Sequence, residues 1–344
     1  MNAPEDLVEA VRAGRGLDPR TSVFDVRIAV GERGWVIEGE TTEPEALAEL
    51  VRRAAAAGSA PVEQRVRLLP EPELGAALVR AAVAPLLAEP RLEAALLTQA
   101  VLGQPLTLLA ARGDWLRARA EDGYIGWTHR GYLATGTAEW VRRWLEPVDG
   151  DPVLSLGAEI RDDAGRACGW LPWGARAVRE TGGTLLLPDG RRAVPGPGEL
   201  VPLRDRAATF PPRGERLVES ARRWLGAPYL WGGNTPAGTD CSGLVHAVYR
   251  LHGVALPRDS DQQARAGHPV EPGPGFAALR PGDLVFFAER PGRVTHVAIA
   301  LGGPRILHAS LSNGEVAEND LAGASELERR LRSCFVGARR VLPG

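Results

Sequence analysis

The chain contains no lysine: all 41 of its basic residues are arginine, and they are balanced by 43 acidic residues to a net charge of −2. With a pI near 6.4, neither nucleic acid nor an anionic membrane surface is an expected partner. The missing lysine, together with abundant Ala, Gly and Pro, reads as genome composition rather than function. Cysteine is scarce as well. Cys168, Cys241 and Cys334 are odd in number, far apart and without metal-type spacing, which excludes a disulfide framework and gives no support to a zinc site. No metal or cofactor is expected. No apolar run is long enough to span a bilayer, and MNAPEDLVEAVRAGRG has acidic residues where a secretory signal would be basic. If Met1 is the true start, the expected location is the cytoplasm. At 344 residues the chain exceeds one ordinary domain, and two to four are expected.

What is present is concentrated in GTDCSGLVHAVYRLHG, Gly238 to Gly253. Thr239 and Asp240 are N-cap types, and Leu244, Val245, Val248 and Leu251 recur at helical spacing, so Cys241 is expected in the first turn of a buried helix. A thiol at that end meets the positive pole of the helix, which is expected to lower its pKa and make it a nucleophile. A lone buried cysteine is by itself more often a small hydrophobe. The downstream pattern overturns that reading. LRPGDLVFF, VTHVAIALG and RILHAS are short strand-like runs punctuated by Pro281-Gly282 and Gly302-Gly303-Pro304. His296 and His308 sit inside two of them and are placed to share one face of a sheet across a hairpin. A helix-borne Cys facing a strand-borne His, with a second polar residue orienting that His, is the nucleophile, base and orienter arrangement.

Six blocks in order, YLWGGN, DCSGLV, PRDSDQQ, LRPGDLVFF, HVAI and HAS, make the chain from about Gly214 onward resemble the NlpC/p60 cysteine peptidases, papain-like enzymes acting on bacterial cell-wall peptides. The resemblance implies Cys241 as nucleophile, His296 as general base and His308 as the residue that orients the His296 ring. It puts the Cys241 amide and Tyr229 at the oxyanion. It implies substrate contacts at Asp240, Ser242, Asp259 and Ser260. Trp231 reads equally as a cleft or a core aromatic.

Upstream, residues 22 to 69 read as strand (Val23 to Val30), turn at Gly31, strand (Trp35 to Gly39), helix from Thr42 with Glu45 completing a capping box, and strand (Val62 to Leu68). The helix is expected to end at Ala54 to Gly58. This small α/β unit, 1–82, resembles bacterial BON domains faintly, and no function is carried from that. Residues 83–148 show Trp115, Tyr124 and Trp127 around an Asp122-Gly123 turn and resemble bacterial SH3 domains. Trp115 is expected to be structural. Residues 149–211 read as a second, degenerate SH3-type copy ending in a Pro/Gly-rich linker from Pro195 to Gly214, with Cys168 inert in a strand and Cys334 inert near a terminal strand. The fold expected is thus α+β and multidomain: a small α/β unit, two SH3-like barrels, and the papain-like peptidase at 212–344.

This order of units is similar to the hydrolases of cell-wall peptide recycling, which implies cleavage of the γ-D-glutamyl to diamino acid bond in murein stem peptides with a free N-terminal L-Ala. A cytoplasmic enzyme would meet only small imported fragments. An exported hydrolase of intact wall and a non-catalytic peptide-binding protein are the alternatives. The cationic L-Ala amine needs a carboxylate or several oxygens, for which Asp259 is the best candidate, with the Tyr124 hydroxyl and Glu89 or Glu93 as helpers. The competing role for Asp259 is to cap the helix at Ser260. The diamino acid stays open between Lys, ornithine and diaminopimelate.

Overall fold

The computed structural model describes residues 4–31, 34–57, 61–290 and 292–342. The first unit places strands Phe24–Gly31 and Gly34–Thr41 antiparallel, and a crossover helix, Pro44–Ala57, returns the chain as the parallel strand Val62–Leu68. Leu47, Leu50 and Ala54 bury the inner face of that helix against Phe24 and Ile37. A preceding helix, Pro4–Gly14, closes the same core through Leu7, Val8 and Val11. The sequence reading did not anticipate it. The expected capping box is also absent: the crossover helix starts at Pro44, and the Thr42 hydroxyl donates to Glu43 instead of serving a box with Glu45. The expected end of this helix at Gly58 lies outside the described residues.

A seven-stranded sheet follows, in the order Leu133–Gly136, Ala76–Val79, Pro105–Arg112, Trp115–Arg119, Ile125–His129, Val83–Leu87, Leu96–Val101. The strand Ala76–Val79 pairs with two strands of this sheet, so the boundary expected at 82 falls after a strand that already belongs to it. Alternate residues of these strands bury Leu86, Leu106, Leu108 and Leu116 in one core. In the next sheet Asp151–Arg161 pairs with both Arg176–Arg179 and Arg192–Pro202, and Leu185–Leu186 links those two, which closes a circuit of four strands. The Pro/Gly-rich stretch expected to be a linker from Pro195 is in fact strand as far as Pro202; Pro197 sits in the register slip between the Ile160–Pro195 and Ala158–Gly198 pairs.

The C-terminal part sets the helix Cys241–Leu251 against a six-stranded antiparallel sheet. Its strand order is His268–Val270, Phe335–Arg340, Leu284–Phe287, His296–Gly302, Arg305–Ala309, Val316–Asp320. Leu244, Val245, Val248 and Leu251 all face inward, as their spacing requires, onto Leu284, Val297, Ile299 and Leu307 of the sheet. Cys334 ends the helix Glu326–Cys334 rather than lying in the strand that follows, which begins at Phe335. Among the described residues no helix is long and apolar enough to cross a membrane.

Candidate active site

Cys241 opens its helix because Asp240 caps it: Asp240 Oδ1 accepts from the Gly243 amide at 2.7 Å. The cap is locked from beneath by Arg258, whose Nη1 and Nη2 pair with the two carboxylate oxygens at 2.9 and 2.8 Å. Arg258 is only 1% exposed, and its remaining donors go to Ser242 Oγ, the Gly233 carbonyl and Thr98 of the SH3-type sheet. Asp240 Oδ2 also takes the Gly232 amide at 2.8 Å. Both carboxylate oxygens of Asp240 and the Ser242 hydroxyl are therefore consumed inside the protein. Both residues line the cleft while their side chains also hold its floor.

His296 and His308 do share one face. The register that sets Ile299 against Leu307 leaves them diagonal to one another, and His296 Nε2 lies 2.6 Å from His308 Nδ1. His308 Nε2 lies 2.9 Å from Asn319 Oδ1 on the edge strand. Asn313 donates to the same Asn319 oxygen at 2.9 Å, which fixes Asn319 with its carbonyl toward His308. The proton positions follow in sequence. With the Asn319 oxygen toward His308, His308 Nε2 donates to it and Nδ1 accepts from His296 Nε2, an arrangement that leaves the His296 Nδ1 lone pair free. Asn319 thus sets the tautomer of the base through His308. No sequence motif flagged it; the signal available was only its place one hairpin beyond His308.

Burial pushes the Cys241 thiol up to about 12, and neighbouring Asp240 acts in the same direction; backbone amides of Val297 and Ser242 pull the other way without prevailing. The lowered thiol pKa expected from the helix terminus is overturned for this reason. Burial, and then the proximity of His308, hold His296 well below its ordinary value. A thiol disfavoured as an anion by burial has to give its proton to a base as sulfur attacks, and His296, on the same cleft, is the candidate for that role. The Cys241 amide at the helix start is a donor for the oxyanion. Tyr229 lines the same cleft with its phenol raised to about 12 by burial and by Cys241, so it stays protonated and able to donate. Collapse breaks the carbon–nitrogen bond as the Nδ1 proton passes to the leaving amine. Water, deprotonated by the same nitrogen, then frees the acyl group from sulfur.

The cleft encloses about 650 Å³. Trp231 is 69% exposed on its rim with Leu311 opposite, so it is a cleft aromatic and not a core one. Ser260 lies at the floor in the first turn of a short helix. Asp259 does not cap that helix with its side chain; its Oδ2 accepts from the Tyr124 hydroxyl at 3.1 Å, which brings the SH3-type sheet into the cleft wall. Glu89 does not take part. It is exposed, pairs with Arg91 two residues on and does not line the cleft, and Glu93 is exposed as well; both lie on the turn between the strands Val83–Leu87 and Leu96–Val101. Among the described residues no cluster of His, Cys, Asp and Glu could hold a metal ion.

A cysteine on a helix opposite a histidine pair on an antiparallel sheet defines a papain-like cysteine peptidase. Residues 226–333 match the NlpC/P60 family, and residues 86–130 match the bacterial dipeptidyl-peptidase SH3 domain. The chain is 30% identical over 260 residues to a gamma-D-glutamyl-L-lysine dipeptidyl-peptidase of Bacillus cereus, covering 72% of this chain and 75% of that one. It is 35% identical over 113 residues to the Bacillus subtilis protein of the same name, covering 32% and 36%. A crystal structure of an NlpC/P60 family protein from Bacillus cereus superposes with a TM-score of 0.63 at 24% identity, over 78% of this chain and all of that one. The chain belongs to the NlpC/P60 family and is a cysteine peptidase.

Proposed function

We propose that the protein hydrolyses the γ-D-glutamyl to diamino acid bond of short murein stem peptides that carry a free N-terminal L-Ala, as a cytoplasmic step of cell-wall peptide recycling. The observation that carries this is the Tyr124 hydroxyl resting on Asp259, because it walls off one end of the cleft with a carboxylate from the peptidase and an aromatic from the SH3-type sheet. A peptide entering that end must finish there, and its terminal ammonium meets a negative charge. A glycan-linked stem has an uncharged amide at the same nitrogen and cannot end there. The names of the two Bacillus relatives support the same bond. The proposal takes the chain from the strand Ala76–Val79 to residue 148, and residues 149–211, as two SH3-type units and 212–344 as the peptidase. The closed strand circuit of the second sheet supports that division.

The test is mass spectrometry of products from free, N-acetylated and wall-bound stem peptides ending in Lys, ornithine or diaminopimelate. Acetylating the amine is expected to cost ~10²-fold or more in kcat/KM, since a site built around that polar group is left unpaired. Cys241→Ala should abolish turnover. Equal rates on all three substrate forms would overturn the recycling role in favour of an exported hydrolase of intact wall.

A further inference from the structure

We infer that Arg20, from the N-terminal α/β unit, is a positioning residue of the substrate-amine site: it holds Asp259 by one oxygen so that the other is free for the ammonium. The inference rests on the free-amine reading above.

Arg20 stands where three parts of the chain meet. Its carbonyl accepts from the Ile125 amide at 2.7 Å, one residue beyond Tyr124, and so ties it to the SH3-type sheet. Its guanidinium crosses to the peptidase. Nη1 donates to Asp259 Oδ2 at 2.9 Å and to Asp261 Oδ1 at 2.7 Å; Nη2 donates to Asp261 Oδ2 at 3.1 Å and to Asp18 Oδ2 at 2.7 Å; Nε donates to Asp18 Oδ1 at 2.9 Å. Asp18 is itself held from the peptidase side by Gln262 Nε2 at 2.8 Å. Every N–H of the guanidinium is used, so Arg20 lines the cleft without a donor left for a substrate anion. Its work is on Asp259.

There the geometry is one-sided. Arg20 and the Tyr124 hydroxyl both engage Oδ2, and no described residue donates to Oδ1. Two anchors on one oxygen fix the plane of the carboxylate and leave the second oxygen to the cleft. Three carboxylates, Asp18, Asp259 and Asp261, surround the single guanidinium, so this end of the cleft keeps a negative excess and favours a cationic ligand even with Arg20 in place. A lysine would keep the charge but only some of these contacts, because an ammonium lacks the planar fork that spans two carboxylates.

The experiment compares wild type, Arg20→Gln, Arg20→Lys, Asp259→Asn and the double variant Arg20→Gln/Asp259→Asn as full-length proteins, on L-Ala-γ-D-Glu-diaminopimelate and its N-acetyl form, with thermal melting of each. Arg20→Gln is expected to raise KM for the free-amine peptide about tenfold, with the smaller share of the loss in kcat, and to shrink the preference for free over acetylated peptide by a similar factor. Arg20→Lys should recover part of that preference. In the Asp259→Asn background the Arg20→Gln change should have little further effect on the preference, since the carboxylate it positions is gone. Equal losses on both peptides, or a preference that falls as far in the Asp259→Asn background, would overturn the Arg20 role and leave the recycling reading standing. A wild-type enzyme that shows no preference for the free amine would overturn both.

Discussion

Proton positions in the histidine row depend on Asn319, a residue that does not line the cleft. Because its carbonyl accepts from His308 Nε2, the lone pairs along the row all point toward Cys241. Asn319→Leu removes that acceptor and lets His308 carry its proton on Nδ1, where it opposes the Nε2–H of His296. We expect kcat to fall at least about tenfold with a smaller change in KM, whereas Asn319→Asp, which still accepts, should retain more activity. Steady-state kinetics on the two variants checks this. The pH profile is a second consequence. Burial and His308 lower the pKa of His296, and a base with a lowered pKa stays unprotonated to lower pH. The acid limb of kcat/KM should therefore lie below pH 6.5, the ordinary histidine value. A limb at or above 6.5 would contradict the buried, neutral base.

At the scale of the element, the catalytic helix is only as well placed as its cap. A Cβ on Gly243 would come 2.1 Å from the Gly233 carbonyl, so the Tyr229 to Asn234 loop and the first turn fit only with glycine there. Arg258 joins this cap to Thr98 of the neighbouring sheet. Arg258→Met fills the volume but leaves Asp240 as a buried carboxylate without its cation. The expected cost is about 3–5 kcal/mol, read as a fall in the denaturant midpoint at unchanged slope. Loss of less than about 1 kcal/mol would mean that the amides of Gly232 and Gly243 suffice to hold Asp240.

For the whole molecule, the cleft is assembled from units that are distant in the chain. Asn234 of the peptidase donates to the Gln99 carbonyl at 2.8 Å, and Tyr124 and Arg20 reach Asp259 from two further units. Under the proposed function, specificity for a peptide end would depend on how these units dock, and bond cleavage on the peptidase. A practical consequence is that substitutions at Tyr124, Arg20 and Asp259 should act mainly through KM and substrate choice, and those at Cys241, His296 and His308 through kcat.

The residue pattern alone was enough for the helix that Cys241 opens and the strands that carry His296 and His308, since helical and strand periods and a capped cysteine are written in short stretches of chain. That these three line one cleft with Asp259 and Tyr124 followed the resemblance to relatives. Tertiary structure decided the rest. Whether a polar group is free or consumed depends on partners that sequence distance hides: Arg258 on Asp240, Asn319 on His308, and Arg20 on Asp259, the last 239 residues apart. Glu89 looked equivalent to these acids in the sequence and was set aside only because it does not line the cleft. The thiol pKa was misjudged for the same reason, because the helix terminus is a local feature, whereas the burial that outweighs it comes from the fold around it.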